Sequence, residues 1–372
     1  MRLSNLEVLL ISHEGQGIDI TSQCTRIQLQ EGLGRNIQGS IDIKDGIALL
    51  EKAIDTANGN IKISFRYLDQ LIERTLYIDS VNGLNLTENE NFKTYSINLI
   101  ALNDMVDAMT TISKAFKGLA TDIVSNIWVN SFTNKLLIDR PSETGGAFIA
   151  PNMSPQACIE NILGASYDTN GNPFYMFERL VNNNTTYIEC LTKWFEEKAI
   201  FQINTIIQDK STKGSIMEGI GIPQHIVVHA DGGNSTSKIR RGAYGKNIYK
   251  YNIDDSISTN LPYGTHVNSS SKMNILRKNM FNNSAPLFSS DNHELVCLAQ
   301  ATSEGFMNVD LTAYGCDAIP NIGVMNKVTL TVAASSIGTS IDTRYSGDYL
   351  VSSILHVIED GIYKQNISLS KG

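Results

Sequence analysis

Long hydrophobic runs are missing from this chain of 372 residues. The apolar run Val8 to Ile11 ends at Ser12-His13-Glu14-Gly15. That is too short for a signal-peptide core or a bilayer span, so no membrane-spanning segment is expected. Tryptophan is scarce, with only Trp128 and Trp194, and charged residues make up just 18%. A basic excess is also missing: the formal net charge is -8. This speaks against a general nucleic-acid binder, which neutralises phosphates with a basic patch. The densest basic cluster, Lys238-Ile239-Arg240-Arg241 with Lys246 and Lys250, follows Gly232-Gly233-Asn234-Ser235 and reads as a solvated loop flank. An acidic protein can still line a conduit for DNA, because like charge keeps DNA off the wall. The five cysteines, Cys24, Cys158, Cys190, Cys297 and Cys316, form no C-x-x-C pair. Their odd number points to a reducing cytosol and buried thiols rather than a disulfide framework or zinc ribbon.

Catalytic signals are thin as well. No G-x-S-x-G elbow occurs, and the Gly-rich segments Glu31-Gly32-Leu33-Gly34-Arg35 and Gly219-Ile220-Gly221-Ile222 lack the phosphate-loop Lys-Ser/Thr. His225 and His229 flank Ile226-Val227-Val228, which prefers a strand. Four positions along a strand separate them by roughly 13 Å, too far for one metal ion. Cys297 or Cys316 with His293 reads as a buried thiol and a surface histidine, not a dyad. The pairs Glu196-Glu197 and Glu359-Asp360 are scattered acids with no sign of a shared cleft. No catalytic residue, metal ligand or cofactor is expected.

What the chain does have is alternation. Strand-like runs at Leu6–Ser12, Thr25–Glu31, Gly39–Lys44, Asn60–Tyr67, Arg74–Val81 and Phe92–Leu102 are punctuated by Gly and Asn-Gly turns. A short helix is predicted at Ile47–Ile54. Residues 105–213 look mixed. Lys117–Val129 has a helical apolar face, and Ser154 with Pro155 opens a second helix. Strands are expected at Phe174–Phe177 and Tyr187–Leu191, joined through Asn182-Asn183-Asn184-Thr185. Gln224–His229 reads as a buried strand and Lys272–Met280 as a helix. Alternation returns at Leu298–Ala301, Met307–Ala313, Val328–Ala333, Tyr349–Leu355 and Tyr363–Leu369.

The end of the first quarter and the end of the last share one pattern. Leu76-Tyr77-Ile78-Asp79-Ser80-Val81 with Tyr95-Ser96-Ile97-Asn98-Leu99 matches Tyr349-Leu350-Val351-Ser352-Ser353-Ile354 with Lys364-Gln365-Asn366-Ile367-Ser368-Leu369. Both read as β-hairpins with one wet face. The expected fold is mainly β with α+β lobes: two similar small antiparallel β-barrels, a mixed α/β lobe and an inserted lobe. The expected boundaries are 1–104 for the first barrel, 105–213 for the mixed lobe, 214–235 with 296–372 for the second barrel, and 236–295 for the insertion.

An ordered series of weak motifs adds a resemblance. Pro320-Asn321-Ile322-Gly323 precedes a strand. Gly347, Tyr349, Val351, His356, Gly361 and Tyr363 follow in the order of a "G-x-Y-x-V" strand, a histidine and a closing hairpin. Near the front, alternation over Ile27–Glu31 meets Gly34-Arg35-Asn36 and a return strand at Ile37–Ser40. In the middle stands Gly242-Ala243-Tyr244-Gly245-Lys246-Asn247-Ile248-Tyr249-Lys250-Tyr251. The series resembles the baseplate hub family of contractile-tailed phages, whose module is shared by the valine-glycine-repeat (VgrG) spike proteins of type VI secretion. The resemblance implies a non-enzymatic homotrimer in the virion's tail baseplate, made in the bacterial host cytoplasm. Its implied partners are a tail tube protein above, a separate spike protein below and other baseplate proteins around, with DNA passing through the lumen without specific binding. Intersubunit or tube-facing positions are then expected at Leu76, Ile78, Ser80, Tyr95, Ile97, Leu99, Tyr349, Val351, Ser353, Tyr363, Gln365 and Ile367. His356 is expected as a packing or hydrogen-bonding residue. Alternative readings are a cell-wall glycan or peptide hydrolase, or a host-attachment carbohydrate-binding module using Tyr244, Tyr249, Tyr251 and Tyr263.

Overall fold

A computed structural model describes residues 3–11, 17–49, 59–67, 70–85, 92–181, 184–204, 227–230, 246–252, 257–263, 271–277, 307–314, 319, 321–331, 343 and 345–371. The expected helix at Ile47–Ile54 and the strand at Leu298–Ala301 lie wholly or mostly outside these residues.

The chain opens with strands β1 (Ser4–Ile11), β2 (Gly17–Asp19), β3 (Cys24–Gly32), β4 (Gln38–Asp45), β5 (Asn60–Tyr67), β6 (Gln70–Asn85) and β7 (Lys93–Ile100). A mixed region follows: α1 (Leu102–Met109), β8 (Ile112–Leu119), α2 (Ala120–Ser131), β9 (Lys135–Ile138) and β10 (Gly145–Met153). It continues with α3 (Pro155–Gly164), β11 (Phe174–Glu178), β12 (Thr185–Cys190) and α4 (Leu191–Glu196). Then come β13 (Phe201–Asn204), β14 (Val227–Ala230), β15 (Lys246–Asn252), β16 (Ile257–Tyr263) and β17 (Ser271–Arg277). The chain closes on β18 (Met307–Tyr314), β19 (Lys327–Thr331), β20 (Gly347–Glu359) and β21 (Ile362–Lys371).

Both ends of the chain share one 13-stranded sheet, ordered β14-β18-β21-β20-β3-β4-β7-β6-β5-β1-β2, with β19 and β13 branching from β20. The two similar units expected from the sequence are joined edge to edge through β20 and β3, and the described strands run from β14 to β2. The physical reason is strand length: β20 outlasts β19, and its last residues pair with β3 over Ser353–Glu359. Alternation then builds two cores on the inner side. One holds Ile27, Leu29, Ile41, Ile61, Leu76, Ile97 and Leu99. The other holds Val328, Leu330, Tyr349, Val351, Ile354, Ile367 and Leu369.

The two hairpins correspond residue by residue. In β6·β7, Tyr77 faces Ile100 and Ile78 faces Leu99; a bulge at Asp79 follows, then Ser80 faces Asn98 and Val81 faces Ile97. In β20·β21, Leu350 faces Ser370 and Val351 faces Leu369; a bulge at Ser352 follows, then Ser353 faces Ser368 and Ile354 faces Ile367. An extra residue at the same place gives both long strands the same added bend and twist. The second hairpin closes at Asp360-Gly361, with φ of 52° and 70°. Two left-handed central residues make the turn type whose twist matches the flanking strands, and Asp-Gly suits it.

The mixed region has its own core of Ile123, Ile127, Trp128, Phe148, Ile159 and Ile162. Ser154 caps α3 by accepting from the Ala157 amide at 3.3 Å, with Pro155 in the first turn, as predicted. The helix expected from Lys117 starts only at Ala120. Lys117, Gly118 and Leu119 instead complete β8, paired with β10, where Gly118 has a φ of 146° incompatible with helix. The helix expected at Lys272–Met280 is strand β17 as far as Arg277, paired in parallel with β15. Sheet pairing overrides a weak local preference there. Phe201–Asn204, within the segment assigned to the mixed lobe, pairs in parallel with β19.

Candidate functional site

Alternation gives the large sheet an outer, wet face. Around the first hairpin it presents Gln28, Ser40, Asp42, Ser96, Asn98, Ser80 and Asn82, all at least partly exposed. These side chains bond to one another. Ser40 donates to Gln28 at 3.3 Å, Ser96 to Asp42 at 2.5 Å and Asn98 to Ser80 at 3.0 Å. At the junction between the halves Gln30 opposes Leu355, and Ser353 and Leu355 oppose Ser368 and Asn366, while Val357, opposite Gln28, is buried. Ser, Asn and Gln dominate this wall. It can be wetted and packed against, and the charges in the same rows, Arg26, Asp42, Lys44, Glu359 and Lys364, are of both signs.

The positions expected to meet a neighbour or a tube are, apart from Ser80 and Ser353, on the other side. Leu76, Ile78, Tyr95, Ile97, Leu99, Tyr349, Val351, Tyr363, Gln365 and Ile367 are all buried in this chain. Their strands still form the long hairpins. The side chains free to meet another surface belong to the intervening residues, because period two sends successive residues to opposite faces.

Under the junction lies a buried polar chain. The Ile319 amide donates to Gln365 at 2.9 Å, and Gln365 donates to the Tyr363 hydroxyl at 2.9 Å. Tyr363 meets His356 Nδ1 at 2.6 Å, and His356 Nε2 meets Glu31 at 3.3 Å. Because Tyr363 already accepts from Gln365, its proton serves Nδ1, which leaves the imidazole N–H on Nε2 for Glu31. Burial pushes the Tyr363 phenol well above its ordinary value. Glu31, fully buried, also accepts from the amides of Leu180 at 2.5 Å and Val324 at 3.4 Å. One carboxylate thus ties together the first half, the second half and the mixed region. His356 has the hydrogen-bonding role expected of it.

A second joint sits at Gly34-Arg35-Asn36. Gly34, at a φ of 73°, lets the chain turn and donate its amide to Met176 at 2.7 Å. Asn36 donates to Asp104 at 2.5 Å and Gln156 at 3.1 Å, and the Ile37 amide reaches Glu178 at 3.3 Å. Glu178 also forms a buried ion pair with Arg74 and accepts from Asn103 at 3.1 Å. Burial raises the Asp104 carboxyl above its usual range. Sequence reasoning named Arg74 and Glu31 only as ends of strand-like runs, with Glu31 also in a Gly-rich segment, gave neither a role, and did not name Glu178. A signal existed: Glu31 continues the inward parity of Ile27 and Leu29, and Arg74 that of Ile72 and Leu76. A charge on an inward position needs a partner.

Chemistry of other kinds finds little footing. No metal-binding group of three or more His, Cys, Asp or Glu occurs among the described residues. Burial pushes the thiols of Cys24 and Cys190 up to about 12 and that of Cys158 to about 11, which leaves them un-ionised and poorly nucleophilic. A groove beside α2 is lined by Ser125, Trp128, Phe132, Asn134, Lys135 and Leu136, without a carboxylate. Glu196 is occupied by Arg140 at 2.9 Å. Cys297, Cys316, His293, His225, Tyr244 and the Lys238–Arg241 cluster lie outside the described residues. No helix among the described residues is long and apolar enough to cross a membrane.

No protein-family model matches the chain, and no curated protein matches it in sequence. Solved structures do. It is similar to the tail protein from Neisseria meningitidis MC58 at a TM-score of 0.61 and 9% identity, over 99% of this chain and 97% of that one. It is similar to the 43 kDa tail protein of prophage MuSo2 from Shewanella oneidensis at 0.58 and 10%, over 99% and 98%. A third is an E. coli component of the type VI secretion system, itself structurally similar to the T4 bacteriophage tail proteins gp27 and gp5. There the TM-score is 0.50 at 6% identity, over 93% of this chain and 73% of that one. The Francisella PdpA-VgrG complex reaches 0.50 at 8%, over 99% of this chain but 58% of the other. The chain thus shares its mainly β fold with these tail proteins and with the type VI secretion and PdpA-VgrG structures.

Proposed function

We propose that this chain is a structural, non-enzymatic baseplate-hub subunit of a contractile injection apparatus. Three copies form a ring around a central channel, with a tail tube above, a spike below and other baseplate proteins outside, in the tail of a virion. The observation that carries the reading is the residue-by-residue match between β6·β7 and β20·β21. Two equivalent units per chain give three chains six similar positions, which adapts a six-fold tube to a three-fold spike. The likeness to phage tail proteins over nearly the whole chain supports the same reading. The units are 1–104 and 214–235 with 296–372, separated by the mixed lobe 105–213 and the insertion 236–295. The twelve hairpin positions from Leu76 to Ile367 act as ring-forming strands, their buried side chains holding the wall and the intervening polar residues facing outward. A wall rich in Ser, Asn and Gln on a chain of net charge -8 lets DNA pass without holding it. Analytical ultracentrifugation tests this. A trimer is expected, alone or with its spike; a strict monomer in both conditions overturns the ring. Turnover of purified peptidoglycan, lost in a single Glu or Asp variant, would favour a hydrolase instead.

A further inference from the structure

The three-stranded sheet of the mixed region, ordered β11-β12-β9, ends on β9. β9 runs parallel to β12, with Lys135 opposite Thr185 and Ile138 opposite Ile188. The Lys135 amide donates to the Asn184 carbonyl at 3.0 Å and the Asp139 amide to the Ile188 carbonyl at 3.1 Å. In a parallel ladder, alternate residues turn both main-chain groups to the same neighbour. Lys135, Leu137 and Asp139 therefore serve β12, and the amides and carbonyls of Leu136 and Ile138 face the other way. Among the described residues no further strand pairs with them. The groove beside α2 lies on that side: it takes Leu136 and Ile138 into its lining and leaves out Leu137. Its volume is about 560 Å³, and every residue that lines it is described. The lining combines the buried rings of Trp128 and Phe132 with Val129, which is 79% exposed.

We infer that this edge and groove take up a short extended segment of another protein, which joins β9 as a fourth strand. The site belongs to the mixed region and does not depend on the ring reading. The outward main-chain groups of Leu136 and Ile138 name the kind of occupant, because an added strand supplies their hydrogen bonds. Alternate side chains of that strand would lie in the groove against Val129 and Phe132, extending the layer in which Leu136 and Ile138 pack on the mixed-region core. The others would share the exposed face of Lys135 and Leu137. Soluble proteins blunt free edges with charges or proline, and Leu136-Leu137-Ile138 has neither. Charge narrows the occupant further. Lys135 is the one charged residue in the lining and forms no ion pair among the described residues, so an acidic side chain fits where the segment passes it. Size excludes a larger partner at this edge. Four residues of strand span roughly 13 Å, whereas a stable contact between folded proteins buries about 800 Å² on each side. A linear segment suits such an edge; a second copy of the chain or another folded face does not.

Residue-resolved hydrogen exchange on the full-length chain tests the edge first. The amides of Leu136 and Ile138 should exchange roughly tenfold or more faster than those of Leu137 and Asp139. Slow exchange at Leu136 and Ile138 in the free chain means that the edge is already covered and overturns the added strand. Protection that appears there only as the chain is concentrated seats a second copy and overturns it too. The probe for the groove is a displayed library of random peptides, each about ten residues long, selected on the native chain. Binders are expected to alternate apolar and polar residues, to carry an acid, and to slow exchange at Leu136 and Ile138. They should lose roughly tenfold or more in affinity for Val129→Arg and for Lys135→Glu. Both positions are exposed, and circular dichroism checks that each variant is folded. N-methylation at alternate peptide residues should abolish binding in one parity and spare it in the other. Binders that tolerate N-methylation in both parities, or that space apolar residues three and four apart, overturn the strand in favour of another conformation. A library that yields no peptide sensitive to Val129→Arg overturns the site.

Discussion

Hairpins β6–β7 and β20–β21 share a register, a bulge and a pattern of inward residues, yet their surroundings differ. On one side of the first, β5 is held by β1 in antiparallel fashion; on the corresponding side of the second, β19 is held by the parallel strand β13. The far half of β20 is covered by β3, whereas the far half of β6 has only β7 among the described residues. The local design of a hairpin is set by alternation and by where its extra residue falls. What lies at its edges is decided by segments far away in the chain.

If the two units are physically equivalent, matched substitutions should cost alike. The largest effect is expected from Ile97→Ala and Ile367→Ala, which empty matching positions at 0% and 1% exposure. Each should lose about 2–5 kcal/mol in urea unfolding. A large loss at one and almost none at the other would break the equivalence. Next come Gly83→Ala, in the irregular stretch of β6, and Gly361→Ala, in the β20–β21 turn; these are not matched positions but place the same backbone demand on the chain. Both glycines have a φ of 70°. Each change should cost about 1–2 kcal/mol, because a Cβ disfavours the left-handed region. Gly83 has no atom near an added Cβ, so its loss reads the backbone term alone and calibrates the other. Matching falls in thermal midpoint are expected.

The smallest effect sits at the joint between the first unit and the mixed region. Burial is the main cause of the raised Asp104 carboxyl, with Glu178 adding to it and the Asn36 hydrogen bond opposing. A folded value above the unfolded one means that protonation favours the fold. This contribution is complete below the ordinary aspartate range and disappears as pH rises through the raised value. Asp104→Asn removes the buried charge while keeping an acceptor for Asn36. Its stability relative to the native chain should therefore be greatest near neutral pH and shrink on acidification. A difference that stays flat between neutral and acid pH would remove Asp104 as the cause.

Much of the sheet was legible in the sequence. Asn60–Tyr67 emerges with the bounds expected of it, and the paired runs around Ile78 and Val351 align as their residues suggest. Strands with one buried face announce themselves by period two. The mixed region was less legible. β8 and β10 carry a weak alternation, and a glycine at 118 hides the step from strand to helix. The polar joints were hardest to see. Glu31 and Arg74 lie on inward positions, but their partners Leu180, Val324 and Glu178 are over a hundred residues away in the chain.

By itself the sequence determined the duplicated hairpin, the inward and outward faces of its strands and the turn at Asp360-Gly361, because each depends on near neighbours and on side-chain parity. Only the tertiary structure decided that β20 crosses to β3 and makes one sheet of two units. It alone decided that a buried glutamate closes the seam and that the far half of β20 is covered by β3, whereas that of β6 pairs, among the described residues, only with β7. Strand pairing is carried by the backbone, which is the same for every residue, so no side-chain pattern names the partner in advance.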